Sequence, residues 1–173
     1  MQLYLIRHPK PDIEAGVCYG RSDLELAEDP VACADALRAL LPVDAPLWSS
    51  PLARCRRLAQ LLHPQPTFDE RLVEMNFGAW EMRRWDDIPR GEIDAWAADP
   101  VAFAPPGGES ATAVRARVAP LLRELPATAV LVAHGGVLRA CAAELVGIED
   151  WHTLHFDYGS VSLIEDGRLA HLF

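Results

Sequence analysis

The chain has 173 residues, 50% of them hydrophobic and 24% charged, proportions that exclude a disordered or fibrous protein and suit one soluble globular domain. Its formal net charge is −9, and with no basic stripe to offset that charge a nucleic-acid partner is not expected. No apolar run approaches membrane length, so neither a spanning segment nor a signal peptide is expected, and no membrane partner.

Gln2 to Ile6 reads as a buried strand that ends in "RHPKP", where Arg7 and His8 precede two prolines that forbid its continuation. Asp29-Pro30 opens a helix with Val31, Ala34, Leu37 and Leu41 on one face, and Pro42 stops it. Pro46 to Trp48 reads as a short strand. Ser50-Pro51 then opens a second helix through Leu62, with Leu52, Cys55, Leu58 and Leu62 as its apolar stripe.

Residues 64 to 110, rich in Trp, Pro and Asp, are the least regular part. Ile88 to Ala98 is predicted helical, and about 75–110 reads as one insertion forming a lid over the site. "APPGGES" is a loop delivering a helix from near Ser110, with Val114, Val118, Leu121 and Leu125 inward. Pro120 is expected to kink that helix or split it. Thr128 to Ala133 has no polar residue after Thr128, as in a parallel sheet covered on both faces. Gly136 to Val146 is a nearly all-apolar helix ended by Gly147, and the tail from about Ser160 is a hairpin turning at "EDGR". The alternation predicts an α/β three-layer fold over residues 1–173, a mostly parallel central sheet with helices on both faces. Cys18, Cys33, Cys55 and Cys141 form no Cys-x-x-Cys pair and read as reduced core thiols, which points to the cytoplasm.

The two strongest strands end alike, in "YLIRH" and "VLVAHGG". Sites in open parallel sheets form outside the carboxyl ends of strands. If these two strands are neighbours, His8 and His134 meet at one point. Gly135-Gly136 admits an anion close to backbone N–H groups at a helix start, although such a pair serves equally in a plain tight turn. "SSPLARCRR" is a second helix start, where Arg54 leans over the N-terminus while Arg56 and Arg57 read as a solvated face. Two arginines, two histidines and two helix N-termini around one crevice describe a phosphate site. His63 reads as a cap or surface residue. His152 and His155 lack a third ligand at a recognisable spacing, so no metal is expected. Asp23 reads as a loop-ordering residue.

"LIRHPKP", "CYGRSDLEL", "WSSPLARCRRLA", "LVEMNFGAWE" and "LVAHGGVLRA" follow one another between residue 3 and about 146. Together they resemble the histidine phosphatase superfamily, with its phosphoglycerate-mutase-like fold. The resemblance implies a phosphomonoester hydrolase that works through a phosphohistidine and needs no cofactor. His8 would be the nucleophile; Arg7, Arg54 and His134 would bind the equatorial oxygens; Glu74 would be the proton donor. The substrate-binding set it implies is Arg7, Arg21, Arg54, His134 and Gly135. Fixed cations suit a transition state whose charge is spread over three oxygens. Flanking arginines also favour the neutral imidazole that alone can attack.

Two positions depart from the family pattern. Pro9 stands where Gly usually follows the histidine, which removes a backbone N–H, and Glu14 stands where Asn is common, with Arg21 expected to cover that gap. All five key side chains are present, which argues against a non-catalytic binding module on the same fold. The compact chain leaves room for water, which favours a phosphatase over a phosphoglycerate mutase. "YGRSDLEL" and "MNFGAWEMRRWDDIPRGEIDAWAADP" look most like the α-ribazole phosphatase branch of cobalamin synthesis, ahead of a broad-specificity or sugar-phosphate phosphatase. The expected partner is a small phosphorylated substrate, and a homodimer is left open. Trp80, Trp85 and Trp96 either stack on a flat base or pack the insertion's own core.

Overall fold

In the computed structural model, which describes residues 1–173, the strands are β1 (Gln2–Arg7), β2 (Leu47–Ser49), β3 (Thr67–Phe68), β4 (Thr128–Ala133), β5 (Val161–Glu165) and β6 (Arg168–His171). The helices are α1 (Val31–Arg38), α2 (Ala53–Leu62), α3 (Arg90–Ala98), α4 (Ala111–Glu124) and α5 (Gly135–Val146). One sheet holds all the strands in the order β3-β2-β4-β1-β5-β6. It is parallel from β3 through β1, while β5 and β6 run antiparallel.

Side chains alternate across a strand, and here both faces are apolar. Leu3, Leu5, Ala129 and Leu131 pack on Val114, Val118 and Leu121 of α4 and on Val137, Leu138 and Cys141 of α5. Ile6, Leu47, Val130 and Val132 face the other way, against Ala34 and Leu37 of α1 and Cys55, Leu58 and Ala59 of α2. Helices thus cover both faces of the sheet, as the sequence predicts. All four cysteines are free thiols, and no helix is long and apolar enough to cross a membrane.

Local differences have local causes. Helix α4 runs unbroken through Pro120, so the expected split does not occur. Proline in a helix interior costs about 3 kcal/mol. Val118, Leu121 and Leu122 around it are all buried, and burying each side chain contributes about 1.5–3 kcal/mol. Helix α1 ends at Arg38, before Leu41, and Asp29 caps its start by accepting the Val31 N–H at 3.1 Å. The two-residue β3 carries no detectable period and is not anticipated; it exists because β2 offers an edge, pairing Trp48 with Thr67. The β5–β6 turn places Asp166 and Gly167 at φ 50 and 72°, the double left-handed geometry that a tight hairpin requires.

The insertion has a core of its own. Trp80 is fully buried with Cys18 and Ile88, against Phe77, Trp85, Ile93, Trp96 and Phe103, and its Nε1–H donates to Glu92 at 2.6 Å. Trp80 therefore packs the insertion. Trp85 and Trp96 also reach beyond it.

Candidate active site

Parallel pairing of β1 with β4 sets Arg7 opposite Ala133, so the next residue on each strand arrives at the same level. The His8 and His134 rings meet there edge to face, with centroids 5.0 Å apart. His8 is only 2% exposed. Its Nδ1 lies 2.6 Å from the Pro9 carbonyl. A carbonyl can only accept, so this contact assigns the proton to Nδ1 and leaves the Nε2 lone pair free. Pro9 thus gives up an N–H to any ligand but supplies the acceptor that selects the histidine tautomer.

Burial, and then the charges of Arg54 and Arg7, lower the His8 pKa to about 3 against the opposing Pro9 hydrogen bond. His134 is fully buried and is held well below the usual histidine value by burial, then by His8, Arg54, Arg7 and Arg117. Its Nε2 lies 2.8 Å from Ser50 Oγ.

Each of two arginines is anchored by carbonyls and keeps a donor in reserve. Arg7 donates from Nη1 to the Phe156 carbonyl at 2.6 Å, and its guanidinium carbon sits 3.9 Å from the Tyr158 ring centroid. Arg54, fully buried in the first turn of α2, donates to the carbonyls of Ser22 (2.8 Å) and Gly20 (2.6 Å). Nε of both residues is buried and unpartnered. Buried donors on fixed cations, held only by neutral carbonyls, are what an anion needs.

Glu74 arrives from an irregular segment and spans to α5. Its Oε2 accepts the Gly136 N–H at 3.0 Å and its Oε1 the Met75 N–H at 2.9 Å. A Cβ on Gly136 would stand 2.5 Å from Glu74 Oε1, so only glycine permits this approach. At Gly135 the same atom would meet nothing nearer than Arg7 at 3.5 Å. The requirement therefore falls on the second glycine of the pair, a distinction invisible in the sequence.

A cavity of about 290 Å³ opens on this cluster, lined by Arg7, His8, Glu74, Gly135 and Gly136 on its reactive side. Phe77, Trp85 and Trp96 also line it, the two indoles stacked 5.6 Å apart at 5°. Arg54 and His134 are fully buried near His8 and do not themselves line the cavity. Tyr19, Arg139 and His152 also line the cavity and are missed by the sequence reading. Tyr19 lies within the string "CYGRSDLEL" and Arg139 within "LVAHGGVLRA"; no local pattern marks His152.

Arg21 does not join the site. Its side chain is 47% exposed and lies 3.7 Å from Glu109. The Glu81 carboxylate collects the N–H groups of Gly20, Arg21 and Ser22 at 3.0 to 3.3 Å, which turns this loop's carbonyls toward Arg54. Glu14 pairs with Arg84 at 2.5 Å, so Arg21 covers no gap there either. Asp23 orders the loop as expected, accepting the Ala53 N–H at 2.7 Å at the start of α2.

The depressed His8 pKa has a signed consequence for stability. The folded protein keeps this imidazole neutral, while an unfolded chain protonates it below about 6.5. The unfolded state then binds more protons between roughly pH 6.5 and 3, so stability falls as pH drops through that window. His8 alone removes up to about 2 kcal/mol between pH 6.5 and 5. Urea unfolding of wild type and His8→Asn at both pH values checks this. The wild type should lose more stability by about that amount, and equal losses would refute it.

The sequence pattern of the Histidine phosphatase superfamily (branch 1) matches residues 3–168. A protein of Salmonella typhimurium named Adenosylcobalamin/alpha-ribazole phosphatase is 32% identical over 173 residues, covering 90% of this chain and 85% of its own. Among solved structures, a Thermus thermophilus protein superimposes with a TM-score of 0.81 at 36% identity, covering 100% of this chain and 94% of its own. A mycobacterial glucosyl-3-phosphoglycerate phosphatase in complex with VO3 superimposes with a TM-score of 0.85 at 31% identity, covering 98% and 96%.

Proposed function

The chain belongs to the histidine phosphatase superfamily, and from that membership we propose that it hydrolyses α-ribazole 5′-phosphate, a step of cobalamin synthesis, through a phosphohistidine on His8. The neutral Nε2 attacks phosphorus, and the bond to the leaving oxygen breaks as Glu74 delivers a proton to that oxygen. Arg7 and Arg54 supply their free Nε–H donors to the equatorial oxygens, and His134, whose ring meets that of His8, adds to that shell. The Gly135 N–H, at the start of α5, adds the positive end of a helix. In the second half, water attacks phosphorus, the P–N bond breaks, and Glu74 takes the proton from water. Residues 75–110 act as a lid that frames the leaving group.

One observation carries the substrate reading. Beyond the reactive cluster the cavity is lined mostly by aromatic and apolar side chains, the Trp85–Trp96 stack among them. A flat base on the leaving alcohol can stack there. A plain sugar phosphate has no flat face to stack there, and beyond the reactive cluster only Tyr19, Arg139 and His152 offer its hydroxyls polar partners. Stacking a base on an aromatic side chain is worth about 1–3 kcal/mol. Trp85→Leu and Trp96→Leu should each raise KM for α-ribazole phosphate about tenfold, with glycerol phosphate changed less than about twofold. A panel assay that also includes 3-phosphoglycerate and sugar phosphates decides the matter. A higher kcat/KM on sugar phosphates would replace this reading with a sugar-phosphate phosphatase, and similar values throughout with a broad-specificity enzyme.

A further inference from the structure

We propose that Arg117 and Glu109, which do not line the cavity, are positioning residues that hold the proton donor in place by fixing the backbone on both sides of Glu74. The inference rests on Glu74 being that donor.

Glu74 sits in a stretch with no regular secondary structure, between a 3₁₀ turn that ends at Leu72 and another that starts at Gly78. Such a segment has no ladder of its own to satisfy its peptide groups or to hold its side chain to the roughly 0.5 Å tolerance a reacting group needs. Here one ion pair takes over that task. Arg117, from α4, donates Nη1 to the Arg71 carbonyl and Nη2 to the Val73 carbonyl, both before Glu74. Its Nε donates to Glu109 Oε1 at 3.1 Å. The other oxygen of Glu109 accepts the Asn76 N–H at 2.9 Å, and the Glu109 backbone N–H donates to the Asn76 carbonyl at 2.9 Å, both after Glu74.

The pair therefore closes a frame around residue 74. Both members are mostly buried, with side chains 19% and 16% exposed. Arg117 cannot be exchanged for lysine without loss, because a single ammonium cannot serve two carbonyls and a carboxylate in the planar geometry of a guanidinium. Glu109 accepts from Arg117 on both of its oxygens and from Asn76 on one, so Glu109→Gln removes the charge and one acceptor while leaving an oxygen for Asn76. A displacement of about 1 Å at a reacting group can cost about 10²-fold in rate.

A frame that only stabilised the fold would affect all substrates alike. A frame that positions the donor affects those whose leaving oxygen needs a proton. Arg117→Lys and Glu109→Gln are assayed on an alkyl phosphate and on p-nitrophenyl phosphate, with melting temperatures recorded, and Arg117→Lys also in the Glu74→Gln background. The expected result for Arg117→Lys is a kcat about 10- to 100-fold lower on the alkyl ester, less than about threefold lower on the aryl ester, and little further loss when Glu74 is already Gln. Glu109→Gln should show the same selectivity in weaker form, and it carries the test if Arg117→Lys does not fold. Equal losses on both esters, or full additivity with Glu74→Gln, overturn the positioning role. If Glu74→Gln itself shows no preference between the esters, the donor assignment fails and this inference falls with it.

Discussion

His8→Ala is expected to abolish turnover and the covalent intermediate together. In the proposed mechanism His8 alone accepts the phosphoryl group: His134 is fully buried, and His63, His155 and His171 do not line the cavity, which leaves His152 as the one other histidine on its wall. Loss of a nucleophile that acts with its supporting groups as one unit should lower kcat by at least about 10⁴-fold. Rapid quenching with labelled substrate gives the direct reading. A phosphohistidine loses its label in acid, where protonation of the ring makes it a leaving group, and keeps it in alkali. Wild-type enzyme should show that pattern and His8→Ala should trap nothing. Because burial and two arginines hold the His8 pKa near 3, labelling should persist at pH 5, where an ordinary histidine is mostly protonated. Label retained in the variant, or label stable in acid, would remove His8 from the mechanism.

Glu74→Gln has the second largest expected effect, and it should depend on the leaving group. The side chain keeps its size, and its amide can still accept one of the two backbone N–H groups, from Met75 or Gly136. Proton delivery to the leaving oxygen is lost. Alkyl phosphates, which depart as strongly basic alkoxides, should slow by about 10²–10⁴-fold. Aryl phosphates depart without help and should slow by less than about tenfold. A Brønsted plot of kcat/KM against leaving-group pKa should therefore steepen in the variant. Parallel lines for the two enzymes would show that Glu74 binds or folds rather than delivers a proton. Gly136→Ala offers an independent check, since its Cβ intrudes on Glu74 Oε1 and should reproduce the same selectivity without touching the carboxylate chemically.

Much of this site was legible because its signals are local. An apolar run that ends abruptly in Arg7-His8-Pro9 marks a buried strand and its carboxyl end. The run from Thr128 to Ala133 followed by His134 and two glycines marks a second one with a helix behind it. Two strands hydrophobic on both faces must lie within the sheet, and their pairing brings the histidines together. The order of five strings was enough to identify the family, and each string contributes residues to the cavity or to the buried cluster beside it.

The rest depends on groups far apart in the chain, where no period or spacing exists to be read. Arg21 is expected to cover the gap beside Glu14, but sequence does not say which way a loop turns. Glu81, sixty positions later, turns that loop and sends Arg21 outward. Pro120 looked like a helix break because its local penalty is visible in sequence, while the burial that outweighs it is not. The tryptophans divided only on packing, Trp80 into the insertion and Trp85 with Trp96 onto the cavity. Sequence by itself determined which residue types lie at the strand ends and helix starts, since backbone geometry and hydrophobic period act over a few neighbours. Tertiary structure alone decided the His8 tautomer within its buried cluster, the closeness of Glu74 to Gly136 and the frame of Arg117 and Glu109, because each is a contact of a few ångströms set by how separate elements pack.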